Sequence, residues 1–125
     1  MDYQVVDPET HGRLSDRPCR THSITGADDG MTFDQLGVRL YVAEPGEQLP
    51  LQYHYHETQE EAFYVLSGTL NVETPERTYD VEAENVFLVE PGNPHRAFNS
   101  DESTDTVRVL AMGAPTNDGG QPYEP

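Results

Sequence analysis

The stretch His54-Tyr55-His56-Glu57-Thr58-Gln59-Glu60-Glu61-Ala62-Phe63-Tyr64-Val65-Leu66-Ser67-Gly68 decides the fold. Ala62 to Ser67 is apolar and rich in β-formers, and Gly68 supplies the turn that ends the run. Side chains alternate along a strand, so His54 and His56 point to one face, about 6.6–6.8 Å apart along the chain. Two imidazoles at that spacing can converge on a single ion. Two solvent-facing histidines give the same pattern, so the pair by itself is weak. Glu61, Phe63 and Val65 also share a face, which puts a carboxylate at the head of an apolar inner row. Glu60 has the opposite parity, with Ala62 and Tyr64, and reads as a surface residue. A lone buried charge is costly. A cation held jointly with neutral imidazoles supplies the partner that Glu61 needs. The bland alternative starts the strand at Ala62 and leaves both glutamates solvated.

Outward from this stretch the chain keeps the rhythm of short strands. Val38, Leu40 and Val42 alternate with Arg39 and Tyr41, the pattern of a half-buried strand. Further strands are expected at 52–56, 69–74, 77–81, 85–90, 95–99 and 106–113, with a short one at 20–25. Turn signals recur roughly every 8 to 12 residues, as in sandwiches and barrels. Pro91-Gly92-Asn93-Pro94 is a rigid turn that presents His95 at a strand start. No window carries a helical stripe. The reading is therefore all-β, with an extended N-terminal segment over 1–37, a sandwich or barrel over 38–113 and a flexible tail over 114–125.

Composition narrows the function. Twenty-three acidic residues face seven basic ones in 125 residues, for a formal net charge of −16. Such a charge repels phosphate backbones and argues against a nucleic-acid partner. No apolar run approaches the roughly 20 residues of a membrane span. No signal peptide is visible at the N-terminus, and the single cysteine, Cys19, fits a cytoplasmic location. All seven basic residues are arginine, and without lysine Schiff-base chemistry is excluded. Acids spread along a lysine-free chain read as a surface adapted to a salty cytoplasm, where a Debye length of about 3 Å at 1 M screens self-repulsion. A docking surface for a basic partner is the other reading of the same charge.

Together these residues resemble the cupin superfamily, and the match covers about residues 38–113. His54, His56, Glu61 and Gly68 fall at the intervals of the first cupin motif, and Gly92, His95 and Asn99 at those of the second. The departures lie in loops. Gly46 precedes His54 by eight residues where the usual pattern has six, Glu84 replaces a glycine, and Glu90 takes a proline position with Pro91 one place later. The resemblance implies an antiparallel jelly-roll β-barrel, the double-stranded β-helix. It implies one divalent transition metal (Fe, Mn, Ni, Co, Cu or Zn) on His54, His56, Glu61 and His95. It implies a homodimer, for which the 1–37 segment is the natural element. The function expected is that of a metal-dependent enzyme on a small organic molecule, with an oxygenase-type reaction leading. A non-catalytic binding or sensing cupin and a sugar isomerase-type cupin are the alternatives. Asn99, Tyr64 and Phe63 are candidates for binding substrate, with Tyr53 and Tyr55 behind them. No catalytic acid or base is evident. Arg39, Arg96 and Arg108 are the candidates for a basic pocket, and strand parity leaves their direction open.

Overall fold

The structure, a computed structural model, describes residues 3–26 and 31–124. In chain order its strands are β1 (Arg13–Leu14), β2 (Arg20–Ser23), β3 (Gly37–Ala43), β4 (Gln48–Tyr55), β5 (Glu60–Ser67), β6 (Thr69–Glu73), β7 (Thr78–Glu82), β8 (Val86–Val89), β9 (His95–Phe98), β10 (Val107–Ala114) and β11 (Gln121–Pro122). No helix of the described residues is long and apolar enough to cross a membrane. The strands form two antiparallel sheets, ordered β1-β2-β3-β10-β5-β8 and β11-β4-β9-β6-β7. Their inner faces meet in a core that includes Leu49, Phe63, Val65, Leu70, Val72 and Val109. This is the antiparallel jelly-roll barrel that the cupin resemblance implies, and the turn rhythm fits it.

The two strands without an expectation, β1 and β11, are each two residues long and carry no hydrophobic alternation. β1 pairs with β2 at the sheet edge. β11 lies within the 114–125 segment that reads as a tail. There Gln121 and Pro122 pair with Tyr55 and His54 on β4. Beyond β11, Tyr123 donates its backbone N–H to the Tyr53 carbonyl and packs its ring 4.9 Å from the Tyr53 ring. The segment is a strap laid along the edge of β4.

β3 corrects the sequence reading. The inward row is Arg39, Tyr41 and Ala43, with Tyr41 and Ala43 in the core cluster. Leu40 and Val42 are also buried, on the opposite face. Neighbouring residues explain why both faces are covered. Val42 stands between Arg20 on β2 and Arg108 on β10. Glu9, in the N-terminal arm, binds Arg20 at 3.0 Å and Arg108 at 2.6 Å. The aliphatic stems of these arginines and the arm between them shield Val42 from water. An apolar alternation marks a buried face but does not say which of two buried faces meets the core.

At one end of the barrel Asn99 ties the loops together. Its Nδ2 donates to the carbonyls of Ala43 and Asp105, and its backbone bonds Gly46 and Glu47. At the other end the register of β4 against β9 slips between Leu49 and His54. Such an irregularity re-aims the side chains that follow it, and it sets His54 directly opposite His95.

Candidate metal centre

Three elements bring the cluster together. His54 comes from β4, Glu61 from the second position of β5, and His95 from the start of β9. One ligand atom from each lies within 4.8 Å of the other two, close enough to share an ion. His56, just past β4, stands beside them with its Nε2 2.9 Å from Glu61 Oε1. The His54 ring is 4.8 Å from the His95 ring and 5.0 Å from the His56 ring. His95 is 1% exposed and His54 7%.

The hydrogen bonds behind the rings decide which nitrogens face inward. His95 Nδ1 lies 2.9 Å from the Asn93 carbonyl, and His56 Nδ1 2.8 Å from the Asp118 carbonyl. A carbonyl oxygen only accepts, so each Nδ1 carries a proton and each Nε2 faces the cluster, where it offers a lone pair when the ring is neutral. Such backing is the usual support of a metal-bound histidine. Inside the cluster the contacts are close but poorly directed. His95 Nε2 is 3.4 Å from Glu61 Oε2. Among the described residues, buried Glu61 Oε1 and His95 Nε2 have no hydrogen-bond partner. A carboxylate crowded against imidazoles in this way calls for positive charge, from a protonated ring or a bound cation, and a set of imidazoles with one carboxylate suits borderline transition metals. Burial pushes the Glu61 carboxyl up, but His56 and His95 outweigh it and hold it at about 2. Glu61 in turn raises His56, against the effect of burial.

The cluster opens into a cavity of about 470 Å³. Phe63, Tyr41 and Arg39 wall it from the inner rows, with Gly113 and Ala111 between them. Arg17 stands at its rim, and Gly119 and Gly120 of the strap close one side. A Cβ on Gly120 would come within 3.0 Å of the His54 ring, so the strap hugs the imidazoles. Asp118 pins the strap. Its Oδ2 accepts from the Thr58 and Gln59 backbone N–H groups and from the Thr58 hydroxyl, at 2.7–2.8 Å.

Of the substrate-binding candidates, Phe63 lines the cavity. Asn99 does not, because its amide is engaged at the far end of the barrel. Tyr64 does not line it either, since it alternates with the inward Phe63 and Val65. Of the arginines, Arg96 pairs with Glu73 and Arg108 with Glu9, both away from the cavity, while Arg39 lines it. Sequence reasoning missed Arg17, Gln59 and Asp118. Arg17 and Asp118 lie in segments without strand periodicity, so no pattern could have pointed to them.

A double-stranded β-helix with histidines and a glutamate gathered at one end defines a class of small barrel proteins with a candidate metal site. Within it, the chain belongs to the cupin domain family, whose profile matches residues 39–113. The chain superposes on a double-stranded β-helix protein from Klebsiella pneumoniae with a TM-score of 0.78 at 18% identity, covering 99% of this chain and 100% of that one. The polyketide cyclase RemF from Streptomyces resistomycificus also gives 0.78 at 18% identity, over 98% and 87%. A sugar phosphate isomerase of the cupin superfamily from Silicibacter pomeroyi gives 0.72 at 20% identity, over 90% and 76%. At these identities the likeness is one of fold. Among curated proteins no sequence matches this chain.

Proposed function

We propose that the chain is a metal-dependent enzyme acting on a small organic molecule, with an oxygenase-type reaction as the leading chemistry. One transition metal per chain would be held by His54, His56, Glu61 and His95. The observation that carries this reading is the buried cluster of imidazoles and one carboxylate, two of whose polar atoms lack hydrogen-bond partners among the described residues, opening on a cavity. When bound, the ion would supply Lewis-acid polarisation of a substrate oxygen, or redox chemistry if it is Fe, Mn or Cu. The chain's own residues do the rest. Asn93 and Asp118 hold the rings in one tautomer, and Phe63 and Tyr41 give the cavity an apolar wall. A sugar isomerase-type reaction is the alternative chemistry, and the fold shared with a sugar phosphate isomerase keeps it in view.

A second reading, a binding or sensing cupin, is favoured by a different observation. Of the two cavity carboxylates, Asp118 is engaged by three donors, and Glu61 is the one that a metal would take. Neither is left over as a general base. A ligand-induced melting shift without product would support this reading.

The first test is metal content by mass spectrometry on untagged protein purified at multimolar KCl without chelator. We expect about one transition metal per chain, lost when His54→Ala is combined with His95→Ala. Oxygen uptake with diols, flavonoids and diketones under Fe, Mn and Ni then separates enzyme from binder. No metal even after reconstitution would sink the metal-dependent reading, and no uptake with any ion would sink the oxygenase. We further propose that the protein is a salt-adapted cytoplasmic homodimer joined through its 1–37 segment.

A further inference from the structure

The cavity has a second polar end. Arg39 projects inward from β3, and the rung it shares runs through Ala111 on β10 to Phe63 on β5. The next rung runs from Gly37 through Gly113 to Glu61. Ala111 adds only a methyl group and the Gln59 side chain covers Gly113, where a Cβ would lie 2.8 Å from Gln59 Cδ, and Arg39, Gln59, His54 and Glu61 all line the one cavity. β3 and β5 are two strand spacings apart, about 9–10 Å between backbones. A small molecule fits between them and reaches both ends.

The charge accounting shows what that molecule carries. In a chain with 23 acids, Arg20, Arg96 and Arg108 each take a carboxylate. Among the described residues, Arg13, Arg17, Arg39 and Arg77 show no carboxylate within 4.0 Å, and of these four Arg39 and Arg17 line the cavity. Arg39 is half-buried with the Tyr41 hydroxyl as a neutral partner, and Arg17 is exposed with a guanidinium N–H donating to the Ser15 carbonyl, so neither positive charge is neutralised. A planar guanidinium also matches carboxylate and phosphate through paired N–H donors.

We propose that the cavity takes a small organic anion whose carboxylate or phosphate seats on Arg39, with Arg17 at the rim, while its other end lies against the His54, Glu61 and His95 cluster. This rests on reading the cavity as a ligand site beside a metal. The seat itself is a property of Arg39.

Calorimetric titration of the full chain tests it, with succinate, dimethyl succinate and inorganic phosphate as probes, on metal-loaded and metal-free protein. We expect succinate or phosphate to bind and the neutral ester not to. Arg39→Gln should weaken the anion at least tenfold, and Arg39→Lys should restore part of the loss. Arg108→Gln removes the same charge outside the cavity and should change affinity less than twofold. Binding of phosphate alone, dependent on Arg39, supports the seat and assigns it to phosphate-bearing ligands. Binding of the ester equal to that of succinate, an Arg39→Gln affinity matching wild type, or no anion binding in either form overturns the proposal. Metal content is read on every variant. Arg39-dependent anion binding in a protein that takes up no metal would leave the seat standing and remove the metal reading, and the reverse result would do the opposite.

Discussion

Gly68 joins β5 to β6 at φ 76°. A Cβ there would lie 2.6 Å from the Thr106 carbonyl oxygen and 3.0 Å from Val107 Cα. Both neighbours are backbone and cannot rotate aside. Gly92 has φ 85° too, but a Cβ there would meet nothing within 4 Å. The two glycines therefore separate conformational strain from collision. Gly92→Ala should cost about 1 kcal/mol, the left-handed penalty alone. Gly68→Ala should cost roughly 2 kcal/mol or more, because the strand end must also shift. Urea denaturation at fixed salt reads the difference, and equal midpoints would refute it. Glu61 shows what a single residue discloses in sequence, since its parity with Phe63 and Val65 set it in an inner row. Arg39 shows the limit. Its alternation with Leu40 and Val42 was plain, but both faces of β3 are buried, and the strand alone cannot say which is inside.

What chose the face of β3 is a set of contacts between elements. Glu9 reaches Arg20 and Arg108, the latter 99 residues away in sequence. No local pattern encodes that clamp, whereas the central strands β3, β5 and β10 were legible because each carries an apolar run between turn residues. Arg108 and Arg20 hold the Glu9 carboxyl below its ordinary value of 4.5, against a smaller opposing effect of desolvation. Because the folded value is depressed, the stabilisation is complete above about pH 4.5 and disappears as pH falls through the lowered value. Glu9→Gln should therefore melt below wild type at neutral pH and low salt. The two should converge in acid, and also at high salt, since the pair is partly exposed. A gap that persists at the acid end would mean the arm is held by packing instead.

Across the whole molecule the acidic surface and the interior obey different rules. A net charge of −16 makes self-repulsion a term in folding that salt relieves. The melting temperature should rise steeply from low to multimolar KCl, and light scattering in the same series should find two chains per particle at high salt. Equal melting across the series would refute the salt reading, and a monomer would refute the pairing. The barrel and the histidine-glutamate cluster could be read from sequence because motif spacing and strand alternation are local. The cavity's wall and its strap could not, because they depend on which distant segment arrives beside them.

The strap carries one more consequence. His56 is committed to one tautomer by the carbonyl of Asp118, a residue 62 positions further on. During synthesis His54, His56, Glu61 and His95 are all joined to the chain before Asp118 is. Until then His56 has a free choice of which nitrogen bears its proton. A nascent chain thus carries the full set of side chains before it carries the instruction that orients them, and the order of synthesis itself delays the finished centre.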